Sequence, residues 1–164
     1  MPDVNSARTS AEEARTRLET TILRASSFSE DDRQRRVDEE WSTVESLRHL
    51  VLVIDLWLGR TIRGDADPFH PIALPPTFMP PKLFPDSSID PDARPSFDEA
   101  CQVVRGRMAA LCQYMEGLTP DELARAVPAH AATVGGALSV IFHELAAHDR
   151  FINRDLDRIR DGGP

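Results

Sequence analysis

The stretch that decides the fold is residues 133–161, which read TVGGALSVIFHELAAHDRFINRDLDRIRD. Its apolar residues recur in steps of three and four, the spacing that places side chains on one face of an α-helix. That face consists of Val134, Leu138, Ile141, Leu145, His148, Ile152, Leu156 and Ile159. The imidazole of His148 stands where an apolar side chain is expected, and a buried imidazole needs a polar partner. We predict a long helix facing a core, in which this partner is a backbone carbonyl, a buried water, a carboxylate or a metal ion.

Composition limits the number of domains and the classes of partner. The chain has 164 residues, enough for one domain with a full core, so we expect a single domain over residues 1–164. A net charge of −8 with Lys82 as the only lysine argues against nucleic acid, because phosphate contacts need clustered basic residues. No segment has the pattern of a signal peptide, and the longest apolar run, residues 50–54, is far too short to cross a membrane. We expect a soluble, cytoplasmic protein.

Helix starts are marked by a Ser or Thr followed three positions later by glutamate, the pattern that caps free backbone amides. The four pairs are Ser10 with Glu13, Ser42 with Glu45, Ser96 with Glu99, and Thr119 with Glu122. They predict helices near 9–26, 42–63, 96–117 and 133–161, with a short helical turn at 119–126. No segment alternates like a β-strand. The sequence therefore predicts an all-α fold in which four long helices form a bundle.

The second helix and the segment that follows it are the unusual parts of this bundle. Residues 47–58 are apolar around nearly the whole helix, so we predict that it is the central and most buried one. Residues 65–95 hold most of the thirteen prolines and form a long Pro-rich loop between helices two and three. The apolar residues of this loop are Phe69, Ile72, Leu74, Phe78, Met79, Leu83 and Phe84. They predict a loop packed on the bundle, either as a lid over a pocket or as a structural crossover.

Three residues are candidates for a metal site. Glu144 and His148 are four residues apart on one helix, so their side chains can converge on one point. His49 lies within the apolar second helix and must be largely buried. Two histidines and one carboxylate would leave open positions on Zn²⁺, Ni²⁺ or Fe²⁺. The alternative is a buried hydrogen-bonded network without a metal.

The other histidines, the tryptophans and the cysteines receive weaker assignments. His143 lies opposite the apolar face, and His130 lies in a loop, so we expect both at the surface. Either His130 or His70, which lies in the Pro-rich loop, could instead reach the mouth of a pocket as an acid or base, and we name His70 as the candidate. Trp41 and Trp57 are expected in the core or in a pocket wall. Cys101 and Cys112 lie eleven residues apart on one helix, about 16 Å along its axis, so we expect two reduced thiols.

Residues 37–50 carry a family resemblance. Trp41-Ser42-x-x-Glu45-x-Leu47-x-His49-Leu50 resembles the signature of DinB-like proteins, and Asp55 and Trp57 follow as is common there. Pro68-Phe69-His70-Pro71, Glu144-x-x-x-His148 and Arg154-Asp155-Leu156 resemble an actinobacterial branch of that superfamily. The resemblance covers most of the chain from about residue 30 onward.

This resemblance implies an up-down-down-up four-helix bundle with a metal bound at one end of its core by three histidines. His49 and His148 match two of these ligands, and Glu144 stands where the third is a histidine. Members of known activity resemble thiol transferases that use the metal to activate a low-molecular-weight thiol such as bacillithiol or mycothiol, and a related branch isomerises maleylpyruvate with mycothiol.

The expected function is therefore a metal-dependent thiol S-transferase in detoxification or stress response, with a mycothiol-like thiol and an electrophile as its small-molecule partners. The alternative is a non-catalytic member that binds a ligand or partner, in which the same His and Glu residues form a structural network. The sequence is compatible with a monomer or a homodimer.

Overall fold

The computed structural model describes residues 3–79, 84 and 87–162, and these residues contain α-helices and no β-strand. The helices are α1 (Val4–Ala25), α2 (Glu30–Gln34), α3 (Thr43–Ile54), α4 (Phe97–Glu116), α5 (Pro120–Ala124) and α6 (Val134–Arg160). α3 continues without interruption as a π-helical segment, Asp55–Ile62. The all-α prediction is confirmed, with a π-helical extension and the short α2 that the sequence patterns did not indicate.

Two of the predicted helix starts have complete capping boxes. The hydroxyl of Ser42 accepts the N–H of Glu45, whose carboxylate accepts the N–H of Ser42 in return. Ser96 and Glu99 make the same pair of bonds at the start of α4. Each box satisfies two amides that the first turn leaves free, which fixes where these helices begin.

The predicted start of α1 is wrong, because the helix begins at Val4 rather than near residue 9. Asp3 is the cap, and its carboxylate accepts the N–H of Ser6 at 2.8 Å. The additional residues bury Ala7, which continues the buried face formed by Ala11 and Ala14. The predicted start depended on the pair Ser10 and Glu13, and both residues lie inside the helix.

α1 packs between α4 and α6, as does α3, so α1 and α3 lie on opposite corners of the bundle. Arg8, near the start of α1, donates to the carbonyl of Met115 near the end of α4, so these two helices are antiparallel. Arg24, near the end of α1, pairs with Asp157 near the end of α6, so these two are parallel.

The direction of α3 follows from its contacts with α6. His49, in the middle of α3, contacts His148 in the second half of α6, whereas Trp57, farther along the same helix, contacts His130 just before α6 begins. α3 and α6 are therefore antiparallel. Together with the contacts of α1, this gives the directions up, down, down and up for α1, α3, α4 and α6.

Most of the predicted core positions are buried, and Ile159, at the end of the predicted face, is partly exposed. Every residue of α3 except Glu45 is buried, as expected for a central helix. On α6 the predicted face is buried from Val134 to Leu156, and His148 lies within it. α3 and α6 therefore bring His49 and His148 into the same part of the core.

The loop over residues 65–95 packs along α3. The Arg48 guanidinium donates to the carbonyl of Ile72 at 2.8 Å, and the Arg48 carbonyl accepts the N–H of Leu74 at 3.3 Å. Farther along, a Cβ added at Gly59 would lie 2.4 Å from Cβ of Pro68, so only glycine fits where the loop crosses the π-helical segment. The packing predicted for Phe78 is wrong, because this residue is 83% exposed. Leu83, another apolar residue expected to pack, lies outside the described residues.

Candidate metal centre

Three side chains converge where α3 and α6 face each other. Oε2 of Glu144 lies 3.7 Å from Nε2 of His49 and 3.6 Å from Nε2 of His148. The three residues offer donor atoms that all lie within 4.8 Å of one another. Donors held about 2.1 Å from a tetrahedral ion lie about 3.4 Å apart. The residues predicted from the sequence are therefore brought together at a spacing that could hold a divalent metal ion.

A backbone carbonyl sets the tautomer of His49. Nδ1 of its ring lies 3.1 Å from the carbonyl oxygen of Leu74, which can only accept a hydrogen bond, so Nδ1 carries the proton. Nε2 is then left with a free lone pair on the side that faces Glu144 and His148. Metal-binding histidines usually donate their other N–H in this way, which fixes the orientation of the ring.

Aromatic rings surround the two imidazoles. The ring centroids of His49 and His148 are 4.8 Å apart, and Trp41 lies 4.7 Å from the first and 5.9 Å from the second. Phe151 meets His148 edge-on at 5.5 Å. Trp41 therefore belongs to the wall of the site, one of the two places predicted for it.

These contacts do not form a satisfied hydrogen-bond network. Both Glu144–His separations exceed the length of a well-formed hydrogen bond. Nδ1 of His148 is buried and has no hydrogen-bond partner among the described residues. A core whose polar groups serve only structure satisfies nearly all of them, so the spacing favours a group bound between the three side chains.

Both imidazoles are held in the neutral form. Burial lowers the pKa of His49, although the Leu74 carbonyl and the Glu144 carboxylate act in the opposite direction. Burial, followed by the nearby His49, lowers the pKa of His148 to about 4. Neutral imidazole is the form that binds metal ions, so neither ring has to lose a proton near pH 7 before it can act as a ligand.

A cavity of about 420 Å³ opens beside His148. Trp41 and Phe151 form part of its wall, and Thr77 of the Pro-rich loop borders it. Four charged side chains, Arg36, Glu39, Glu40 and Asp155, also line it. The loop is thus both a packed crossover and one wall of a cavity large enough for a small molecule.

His70 does not border this cavity. Its backbone N–H donates to Oδ2 of Asp55 at 2.9 Å, and its ring Nδ1 accepts the N–H of Ile72 at 3.2 Å. The position predicted for it at the mouth of the pocket is therefore not observed. His143 and His130 are exposed, as predicted.

Two residues that sequence reasoning missed help to build this region. Leu74 contributes a backbone oxygen, for which the sequence carries no signal. Asp55 is 3% exposed and binds both Arg107 of α4 and the N–H of His70. An acidic residue inside the apolar run of residues 50–58 was the available signal for a buried ion pair.

A family model described as the DinB superfamily matches residues 10–152, which include all three candidate ligands. The comparisons with curated proteins and with solved structures find no match. Among the described residues, no helix is both long enough and apolar enough to span a membrane.

Proposed function

Because the chain belongs to the DinB superfamily, we propose that it binds a divalent metal ion through His49, Glu144 and His148 and transfers a low-molecular-weight thiol to an electrophile. The observation that carries the proposal is the convergence of three donor atoms beside a cavity. A site that only stabilised the fold would not need to adjoin space for a small molecule.

The donor set suits Zn²⁺, Ni²⁺ or Fe²⁺. Two imidazoles and one carboxylate are ligands for these ions, and three protein ligands leave positions open for an exogenous group. Glu144 brings a negative charge that a third histidine would not bring. The side chain of Glu144 is about one-third exposed, so the open side of the site lies near this carboxylate.

The bound ion would supply one chemical effect, the lowering of the pKa of a thiol so that the nucleophilic thiolate exists at neutral pH. The residues of the protein supply the ligands and their surroundings. His49, fixed by the Leu74 carbonyl, presents an unprotonated Nε2 without rearrangement, and the neutral ring of His148 becomes a ligand through Nε2 once its single proton lies on Nδ1. Trp41 packs against both imidazoles, which are buried, and a site with little water strengthens electrostatic interactions.

The thiol must come from outside the chain. Cys101 and Cys112 are free and buried. Burial raises the pKa of the Cys101 thiol to about 11 and also raises that of Cys112, so both are protonated and unreactive at neutral pH. Both lie on α4, which contributes no residue to the cavity beside His148. A mycothiol-like small molecule is the donor we propose.

The experiment that tests this function begins with elemental analysis of untagged protein. We expect close to one equivalent of Zn, Ni or Fe. Metal-loaded and chelator-stripped protein are then compared for conjugation of a mycothiol-like thiol to an aromatic chloride. We expect conjugation that is lost on stripping and restored by the metal.

The two parts of the proposal fail separately. Protein that contains no metal and takes up no added divalent ion contradicts the metal centre itself. Protein that binds metal but does not accelerate conjugation with any small thiol retains the centre and contradicts the thiol transfer.

A further inference from the structure

A second cavity, of about 460 Å³, lies between α3 and the segment that leads into α4. None of the candidate metal ligands borders it, and of the residues that the structure describes, Arg36 alone also lines the cavity beside His148. Three arginines, Arg36, Arg48 and Arg94, line it in a chain whose net charge is −8. The lining of this cavity therefore carries a local excess of arginines.

Arg36 already has a partner. Its guanidinium binds the carboxylate of Glu45, with Nε 2.9 Å from Oε2. The same carboxylate accepts the N–H of Ser42 in the capping box of α3. Both hydrogen bonds therefore engage the Glu45 carboxylate, and among the described residues it is the only acid that lines this cavity.

Arg48 is buried without a carboxylate partner. It is 4% exposed, and its Nε donates to the carbonyl of Ile72, a neutral group. Its Nη2 is buried and has no hydrogen-bond partner, and no carboxylate oxygen of the described residues lies within 4.0 Å of the guanidinium. A buried guanidinium with an unsatisfied N–H is costly in free energy, so it is rarely kept without a function.

Arg94 adds a second charge at the cavity. Its Nη1 donates to the carbonyls of Pro91 and Ala93, and it too has no carboxylate partner among the described residues. Asp90 is the other acid close enough to act on Arg48, and its Oδ1 accepts the N–H of Asp92. The charge of two guanidiniums therefore exceeds the negative charge that faces them.

We infer that this cavity binds the oxyanionic group, carboxylate or phosphate, of a small organic molecule. Guanidinium groups present N–H donors in a planar fork that matches both anions. Arg48 would bind the anion through the part of its side chain that lines the cavity, after a small rotation that brings the closed-off Nη2 to the anion, and Arg94 would bind it from the exposed side. The cavity volume is in the range of small-molecule sites.

The test is calorimetric titration of the full chain with inorganic phosphate and, separately, with succinate, at constant ionic strength set with sodium chloride. We expect saturable binding of at least one probe, and the probe that binds more tightly distinguishes phosphate from carboxylate. Arg48→Gln and Arg94→Gln should each weaken that binding about tenfold or more.

Arg17→Gln, an exposed position on α1, is the matched control because it removes the same charge far from the cavity. We expect wild-type binding from it. Arg94 is exposed, so its variant should fold even if Arg48→Gln does not, and circular dichroism verifies both. The inference is overturned if neither probe binds saturably, or if Arg94→Gln binds as tightly as the wild type.

Discussion

His49 and Asp55 are two buried polar residues on one continuous helix, and they differ in how their polar atoms are satisfied. Asp55 is 3% exposed and His49 is 7% exposed. The Asp55 carboxylate receives Arg107 on one oxygen and the N–H of His70 on the other. On His49, Nδ1 is bonded to Leu74, but Nε2 faces Glu144 at 3.7 Å without a hydrogen bond.

The difference distinguishes a buried polar residue that serves the fold from one that keeps an atom free to bind a ligand. Asp55 joins α4 and the Pro-rich loop to the central helix, and its partners supply all the donors it needs. The lone pair of Nε2 on His49 and the carboxylate of Glu144 face each other, and two such acceptors repel unless a cation lies between them. The same helix therefore stabilises the fold through Asp55 and contributes a candidate metal ligand through His49.

The largest effect should come from removing a ligand. We expect His148→Ala to lower the affinity for the divalent ion more than about 100-fold, beyond the loss caused by changes around a metal site. His143→Ala, on the exposed face of the same helix, should bind like the wild type. Competition with a coloured chelator measures both. If the two variants bound the metal ion equally well, His148 would not be a ligand and the contrast between the metal site and Asp55 would be wrong.

The next effect should be the loss of the structural ion pair. Asp55→Ala should lower the free energy of unfolding by about 2–3 kcal/mol, because it leaves the His70 N–H and part of Arg107 unpaired. This loss of unfolding free energy is smaller than that expected for a fully buried ion pair, since the Arg107 side chain is 31% exposed. Urea denaturation measures it, with Asp92→Ala as an exposed control on the same loop.

Asp55→Ala should leave the metal affinity of the folded protein unchanged. If instead it released the metal without changing stability, Asp55 would belong to the binding site and the contrast with His49 would be wrong.

Local signals in the sequence predicted much of this arrangement. The buried face of α6 and the capping boxes at Ser42 and Ser96 depend on residues within a few positions of each other, so spacing alone was sufficient. α2 has no buried residue, and therefore no apolar face by which to recognise it. The π-helical segment follows a run that is apolar on all sides, whose pattern carries no helical period.

The candidate ligands could be named from the sequence, but their surroundings could not. Glu144 and His148 share a helix, His49 lies in the apolar second helix, and the family resemblance indicated the same residue. The Leu74 carbonyl that orients His49 is a backbone atom of a loop, and the partner of Asp55 lies 52 residues away on α4. Such contacts follow from the packing of separate elements, which a single sequence does not encode at any fixed spacing.

Substitutions of Glu144 test whether its carboxylate is a metal ligand. Glu144→Gln keeps the shape of the side chain but removes its charge, so we expect metal affinity to fall about tenfold, less than the loss of an imidazole. Glu144→His, which creates the three-histidine set implied by the family, should still bind metal. If Glu144→Gln had no effect on affinity, the carboxylate would not be a ligand.

The smallest effect should come from the side chain of His70. Its backbone N–H, which any residue would supply, makes the bond to Asp55, and its ring only accepts the N–H of Ile72. His70→Ala should therefore cost about 1 kcal/mol of stability, the contribution of one ordinary hydrogen bond. We expect no change in the rate of thiol conjugation by the metal-loaded protein, because the ring does not border the cavity beside His148. A clear loss of turnover in a variant that stays folded and metal-loaded would instead give His70 the proton-transfer role that its place in the sequence suggested.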